Sequence, residues 1–275
     1  MKKVKLIVTS GDQHANSLVG LCPPEYEREG GGVTKPSPAQ VRSWNNWLDF
    51  WGNVGNTKAS LDAEVIAVFL GDLVDKNYRN PAGLISVHDP DIIELGLKVI
   101  QPALEVCDRH FIIRGTAAHT GGMGALEELV ARASGAEPDP DSGTSSWWWL
   151  PLLVYGTHFS FRHHPHTKGF RPWTQQPALA RESAIVMFEC AKRGYTIPDV
   201  SVFAHVHHYG DSGDATHPRV FFTPPWQWTS DFGFRLGVAE DVEPLGGILF
   251  TVTEDGWTFR ARRYFPKERD PWKIQ

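Results

Sequence analysis

Five short apolar runs in this sequence each end in small or polar residues, and this repeated pattern constrains the fold more than any other feature. With the residues that follow them, the runs are VKLIVTSGDQH (4–14), AEVIAVFLGDLVD (63–75), RHFIIRGTAAH (109–119), LPLLVYGTHF (150–159) and PDVSVFAHVHH (198–208). Apolar, β-branched runs bounded in this way are typical of buried strands. Because ligands of open α/β sheets bind beyond the carboxyl ends of the strands, we expect the five endings to converge on one site.

The segments between these runs have the features of helices. Residues 89–107 begin with acidic residues and carry apolar residues at helical spacing, and the helix predicted after Pro177 ends at Gly194. From about residue 219, short runs separated by turn residues predict antiparallel strands, with a hairpin turn at 254–256. The alternation predicts an α/β protein, and the length of 275 residues favours a single domain, 1–275, with a β-rich C-terminal part.

Residues 22–60 form an insertion rich in proline, glycine and tryptophan. Trp44, Trp47 and Trp51 recur at helical spacing. The favoured interpretation is a helix that packs this tryptophan stripe onto the domain. The alternative interpretation is a lid over the site or a dimer surface, so a homo-oligomer stays open.

Composition narrows the classes of partner. The net charge of −5 argues against broad, sequence-independent binding to nucleic acid, which depends on neutralised phosphates. The three cysteines form no C-x-x-C pair, which excludes a thiolate zinc site and favours a reducing cytoplasm. No run of about 18 apolar residues is present, so we expect no membrane span and no membrane partner.

Carboxylates and imidazoles dominate the five strand endings. In chain order the endings contain Asp12, His14, Asp72, Asp75, Thr116, His119, His158, His205 and His207. A D-x-H or H-x-H pair by itself is more often a polar turn than a set of metal ligands. The joint position of these residues after five strands favours a metal site. Mixed imidazole and carboxylate ligands suit divalent ions such as Mn, Fe, Zn or Ni.

Spacing within the endings favours two ions. If the segments are extended, residues two apart point the same way, so Asp12 and His14 reach one ion, and His205 and His207 do likewise. One carboxylate between two ions about 4 Å apart can bridge them, and Asp72 is the candidate.

These blocks, taken in order, resemble a known family. DQH, GDLVD, RGTAAH, GTH and AHVH are similar to the D-x-H, G-D-x-x-D, G-N-H-(D/E), lone His and G-H-x-H blocks of the calcineurin-like metallophosphoesterases. The resemblance spans residues 12–207, and RGTAAH together with the helix before the last block looks like phage and prophage members. It implies an α/β fold, classed as α+β in some schemes. That fold is a four-layer αββα sandwich of two mixed sheets flanked by helices, with the metal site at the strand carboxyl ends.

The resemblance also implies a ligand set. Asp12, His14, Asp72 and His207 would hold one divalent metal ion. Asp72, His158 and His205 would hold the second. Manganese is the expected metal, with Fe, Zn, Ni or Mg as alternatives.

Two positions depart from the family pattern. Ala204 replaces a glycine, and Thr116 and Ala117 stand where the family has its metal-binding Asn and catalytic His. Three interpretations remain: His119 is the general acid, His119 replaces the Asn as a ligand, or Thr116 supplies a weak oxygen ligand. We favour His119 as the acid or as a contact to the substrate phosphate.

Three further residues have candidate roles near the site. Arg162 and His163 are candidate contacts to a substrate phosphate, although a solvated loop is the favoured interpretation of their segment. Asp75 is a candidate metal ligand that more readily orients a neighbouring histidine.

The expected function is metal-dependent hydrolysis of phosphodiesters, of nucleotide or nucleic-acid type, by attack of a metal-bridging hydroxide. The chain has no G-x-S-x-G elbow and no P-loop. It also lacks GDxxDRG and GNHE, which disfavours a protein phosphatase. The alternatives are a phosphomonoesterase, a catalytically weakened metal-binding or regulatory protein, and a structural phage component. The expected location is the cytoplasm of a bacterial or phage-infected cell.

Overall fold

Two mixed β-sheets face each other at the centre of the molecule. A computed structural model describes residues 3–29, 31–77, 81–230, 243–266 and 271. The strands are β1 (Val4–Ser10), β2 (Tyr26–Glu27), β3 (Val33–Thr34), β4 (Ala63–Phe69), β5 (Arg109–Ile112), β6 (Leu150–Val154), β7 (Thr157–Phe161), β8 (Val200–Phe203), β9 (Gly210–Asp211), β10 (Arg219–Phe222), β11 (Leu245–Thr253) and β12 (Gly256–Tyr264). The α-helices are α1 (Pro38–Leu61), α2 (Asp89–Leu104), α3 (Ala117–Thr120), α4 (Ala125–Ser134) and α5 (Pro172–Arg193).

Each large sheet combines parallel central strands with antiparallel neighbours. In the first sheet, of order β12-β11-β1-β4-β5, strands β1, β4 and β5 are parallel, and β11 pairs antiparallel with β1. In the second sheet, of order β6-β7-β8-β10-β9, strands β7, β8 and β10 are parallel. The parallel strands place their carboxyl ends at one edge of each sheet.

Alternating side chains divide the apolar core into layers. Along β1, Ile7 faces the second sheet and packs in one cluster with Phe159 and Phe161 of β7, whereas Leu6 packs in another cluster with residues of α1 and α2. On the far side, Leu179 of α5 belongs to a third cluster, which covers the outer face of the second sheet. The result is the four-layer αββα arrangement expected from the resemblance.

Four of the five apolar runs form a single strand that ends where the sequence predicts. The fourth run is a hairpin instead, because the chain turns at Tyr155 and Gly156, whose φ angles are 47° and 85°. A two-residue turn with positive φ at both positions connects antiparallel strands. The prediction of one strand over 150–159 is therefore wrong, and His158 lies near the start of β7 rather than at a strand end.

Two other boundaries differ from prediction. Helix α5 ends before Gly194 as predicted, but it begins at Pro172, so Pro177 lies inside it. Strand β10 was predicted as antiparallel, yet it pairs parallel with β8. The predicted hairpin between β11 and β12 is present. Residues 231–242 of the C-terminal part lie outside the described residues.

Helix α1 carries the tryptophan stripe. Ser37 and Gln40 form a capping box at its start, and Pro38 occupies the first turn. Trp47 is fully buried against the first sheet and its Nε1 donates to the Val99 carbonyl oxygen at 2.8 Å. These contacts match the packing interpretation for the helix, whereas a lid formed by the preceding segment stays a prediction. No helix within the described ranges combines the length and apolar character needed to cross a bilayer.

Candidate metal centre

The loops that follow β1, β4, β5, β7 and β8 meet at one edge of the sandwich. Backbone bonds tie the first two loops together: Asp12 N donates to Gly71 O at 3.0 Å, and His14 N donates to Asp72 O at 2.9 Å. Side chains tie in the others, because Thr116 N donates to Asp72 Oδ1 at 2.6 Å and His205 N donates to Asp12 Oδ2 at 3.0 Å.

Five of the predicted ligands have left-handed backbone conformations. The φ angles are 54° at Asp12, 45° at His14, 49° at Asp72, 70° at His205 and 54° at His207. Each such residue costs on the order of 1 kcal/mol or more, and strained positions of this kind cluster at functional sites. The prediction that these segments are extended, with residues two apart pointing the same way, is therefore wrong. Kinks at the strand ends, rather than alternation along a strand, bring these side chains together.

Asp12, His14 and His207 form the first cluster, in which one nitrogen or oxygen of each lies within 4.8 Å of the others. Asp12 Oδ1 and both ring nitrogens of His14 are buried. Asp12 Oδ1 lies 3.4 Å from His207 Nε2 and His14 Nδ1 lies 3.3 Å from Asp75 Oδ2, whereas His14 Nε2 has no hydrogen-bond partner among the described residues. Buried polar atoms without partners are costly, so this cluster fits a cation. Burial opposes ionisation of Asp12, but His207 and His163 outweigh it and lower the pKa of Asp12 to about 2.

His163, His164 and His205 form the second cluster. Their ring nitrogens surround the Thr116 hydroxyl at 3.3, 3.1 and 3.2 Å respectively. Burial is the main cause that lowers the pKa of His205 to about 3 and of His164 to about 4, so both imidazoles are neutral near pH 7. Neutral imidazole is the form that binds metals.

Asp72 lies between the two clusters. It shares a ligand group with Asp12 and His163, and its Oδ2 is 3.1 Å from His163 Nε2. Burial opposes the charge on His163, but Asp72 and Asp12 raise the pKa of His163 to about 9. The two buried carboxylates thus draw positive charge to the point between the clusters, where a bridging carboxylate would hold two cations.

The structure brings His163, and not His158, to the clusters. Phe159 and Phe161 of β7 face the space between the sheets, whereas His158 and Arg162 face α5. There they line a small cavity, and Arg162 pairs with Glu189 at 3.5 Å. Among the described residues, His158 is in no candidate ligand group. The alternating sequence THFSF, which continues the strand to residue 161, was the signal for placing the site residue after it.

His119 contacts Asp75 beside the first cluster. The one-turn helix α3 directs His119 Nδ1 to within 3.0 Å of Asp75 Oδ1. The other oxygen, Asp75 Oδ2, lies 3.3 Å from His14 Nδ1. Burial opposes the charge on His119, but Asp75 and Asp72 outweigh it and raise the pKa of His119. Asp75 therefore links a predicted ligand to the predicted acid.

Glu127 is a structural residue of the site that the sequence analysis did not identify. This buried carboxylate on α4 accepts from Leu73 N at 3.0 Å and from Gly115 N at 2.5 Å, so it joins the loops that carry Asp72 and Thr116. Burial and the nearby Asp72 raise the pKa of Glu127 to about 7. Its position on the apolar face of α4, beside the buried Leu126, was the available signal.

Gly115 allows the close approach of two of these loops. A Cβ at Gly115 would lie 2.2 Å from both Asp72 N and Asp72 Oδ1. Any larger residue would therefore displace the carboxylate between the clusters.

Comparison with known proteins finds no matching family model and no matching curated protein. Several solved structures are similar in backbone. A dimetal phosphatase from Danio rerio has 10% identity and a TM-score of 0.46, over 94% of this chain and 96% of that one. Vps29 of Entamoeba histolytica complexed with zinc has 8% identity and a TM-score of 0.41, over 94% and 98%. The sulfate thiohydrolase SoxB of Thermus thermophilus has 12% identity and a TM-score of 0.40, over 95% and 56%. The narrower resemblance to phage members stays a prediction.

Proposed function

We propose that this chain is a metal-dependent phosphoesterase whose two divalent cations are held by the two clusters. The observation that carries the proposal is the buried Asp72 carboxylate between two ligand groups, one of which contains the buried His14 Nε2 that has no hydrogen-bond partner among the described residues. Asp12, His14, Asp72 and His207 would hold the first ion. Asp72, His163 and His205 would hold the second, with His163 in the role that the resemblance gave to His158.

Two such ions, when bound, make a water molecule acidic enough to ionise near pH 7 and polarise a phosphoryl oxygen. The side chains supply the remaining functions. Asp72 fixes the spacing of the two clusters, and the Leu70 carbonyl oxygen accepts from His163 Nδ1 at 2.6 Å, which leaves His163 Nε2 facing the site. Asp75 holds His119 at 3.0 Å in an orientation from which His119 can donate a proton to the leaving oxygen.

The substrate class we propose is a phosphodiester of nucleotide or nucleic-acid type. In the sequence, residues 159–181 contain no Asp or Glu but include Lys168 and Arg171, although the whole chain has a net charge of −5. Lys168 is near enough to the second cluster to lower the pKa of His164, after burial and His163. A cationic segment beside the clusters suits a substrate with more than one phosphate group. A phosphomonoester is the alternative substrate.

The direct test is hydrolysis of a chromogenic phosphodiester and its monoester with added manganese. We expect faster turnover of the diester, and loss of turnover and bound metal in Asp72→Asn. The exposed Asp141→Asn variant is the matched control. If neither ester is hydrolysed and Asp72→Asn keeps the metal content and stability of the original protein, the proposal is wrong.

A metal-binding protein without catalysis is the second candidate function. The observation that favours it is the pair Thr116 and Ala117, where the resembled family has a ligand Asn and a catalytic His. Two bound ions per chain with no hydrolysis of either ester would support it.

A further inference from the structure

Three imidazole nitrogens converge on one point, and one of them, from His164, has no counterpart in the ligand pattern of the resembled family. His163 Nε2, His164 Nε2 and His205 Nδ1 surround Thr116 Oγ1 at 3.1 to 3.3 Å. The ring centroid of His164 lies 4.5 Å from the ring centroid of His163 and 4.5 Å from that of His205. The one proton and two lone pairs of a hydroxyl group can match three imidazoles only if two of them donate and one accepts, whereas a divalent cation binds a lone pair of each ring at once.

The segment that carries His164 is fixed on both sides. On its N-terminal side, His163 is buried and bound to the Leu70 carbonyl oxygen. On its C-terminal side, the fully buried Glu182 of α5 accepts from Thr167 N at 2.9 Å and lies 2.8 Å from His166 Nδ1. A ligand must be held by packing and hydrogen bonds to bind with the right geometry, and His164 meets this requirement although its ring is exposed to solvent.

We propose that His164 is a ligand of the second metal ion and takes the place left by the missing amide at Thr116. This inference rests on the proposed function. The second site then has three imidazoles and the shared carboxylate of Asp72, whereas the first has two imidazoles and two carboxylates. Imidazole-rich sites favour Zn, Fe or Ni, and oxygen-rich sites favour Mn and Mg. The second site is therefore selective for zinc over manganese, and the first is less so.

The test is metal binding to the full chain, independent of activity. Metal-free protein is equilibrated with equal zinc and manganese, and the bound metals are counted by mass spectrometry. We expect two ions per chain, of which at least one is zinc, because zinc binds more tightly than manganese at most nitrogen and oxygen sites. His164→Ala should weaken zinc binding at one site by about 100-fold or more and leave the other ion bound. His88→Ala, which changes an exposed histidine outside the clusters, should match the original protein.

A double variant tests the reason for the effect. In the double variant Thr116→Asn with His164→Ala, an amide oxygen takes the place of the lost imidazole. We therefore expect this variant to bind the second ion more tightly than His164→Ala does, with a smaller preference for zinc than the original protein. Cobalt loading gives a second readout, because the visible absorption of Co²⁺ reports the loss of a nitrogen ligand. Thermal unfolding of each variant identifies any that fails to fold, in which case His164→Gln replaces His164→Ala.

Each other outcome has a distinct meaning. If His164→Ala keeps both ions with unchanged zinc preference, His164 is not a ligand and the inference is overturned while the proposed function stands. The same holds if only the KM for the chromogenic diester rises, because His164 would then contact the substrate. If the original protein binds no metal, the proposed function itself fails.

Discussion

The two sides of the candidate centre are built differently. The first cluster has its carboxylate and both imidazoles on residues in left-handed conformation, and the buried Asp75 and the half-buried His119 lie beside it. The second cluster consists of imidazoles only, grouped around a threonine hydroxyl, and one of these rings is exposed. The first side thus combines a carboxylate with three strained residues, whereas the second has one strained residue, His205, and one exposed ring, His164. The comparison indicates that the two sides have different metal preferences and different effects on turnover.

The largest effect should come from removing a metal ligand of one side at a time. His207→Ala should remove the first ion and His205→Ala the second, because each histidine belongs to only one cluster. Either change removes several kcal/mol of charge stabilisation, so we expect turnover of the chromogenic diester to fall by about 10³-fold. Metal counting after dialysis checks the assignment. Loss of both ions from each variant would show that the clusters act as one unit.

His119→Ala should have a smaller effect, on the first side only. The side chain contacts Asp75 rather than a bridging group, so both ions should remain while turnover falls by about 10²-fold. Asp75→Asn should give a partial loss, because it removes the orienting carboxylate but leaves the imidazole. Turnover and metal content are measured together. Loss of one ion with unchanged turnover per remaining ion would instead assign His119 as a ligand.

Glu127→Gln tests the carboxylate that joins the loops of the two sides. Both of its oxygens accept from backbone N–H groups, so the amide nitrogen of Gln would face a donor. We expect a loss of about 1–3 kcal/mol in the free energy of unfolding, measured with denaturant above pH 7. The exposed Glu105→Gln variant is the control. An unchanged unfolding midpoint would mean that the loops are held without this carboxylate.

The same variant should change the dependence of stability on pH. In the folded chain the pKa of Glu127 is raised from 4.5 to about 7, so the folded state holds this proton more tightly than the unfolded state. The stabilisation that comes from holding this proton is complete below about pH 4.5 and is lost as the pH rises through about 7, above which the two hydrogen bonds accepted by the carboxylate remain. The difference in stability between the original protein and Glu127→Gln, measured with a chelator present, should therefore vary over this range. A constant difference would contradict the raised pKa.

The smallest effect is expected at His158. Because this residue faces α5 and lies outside both clusters, His158→Ala should change metal affinity and turnover by no more than about 2-fold. Metal counting and diester hydrolysis are the measurements. Loss of an ion in this variant would restore the ligand set implied by the resemblance and exclude His163 from it.

The sequence by itself determined the local features of this protein. Strands β1, β4, β5 and β8, and the polar residues that follow them, were predictable because strand patterning and strand ends are properties of neighbouring residues. The motifs around Asp12, Asp72 and His207 carried the first side of the centre and the carboxylate between the clusters.

Only the tertiary structure decided the second side beyond Asp72 and His205, which the sequence motifs had supplied. A left-handed turn at Tyr155 divides one apolar run into two strands, which moves the site residue from His158 to His163. His119 contacts Asp75, which is 44 positions away in the sequence. Glu127 contacts Leu73 N, 54 positions away, and Gly115 N, 12 positions away, and all these partners belong to different elements. Local pattern cannot specify such contacts, because they depend on strand pairing, on which face of a strand is covered, and on packing between layers.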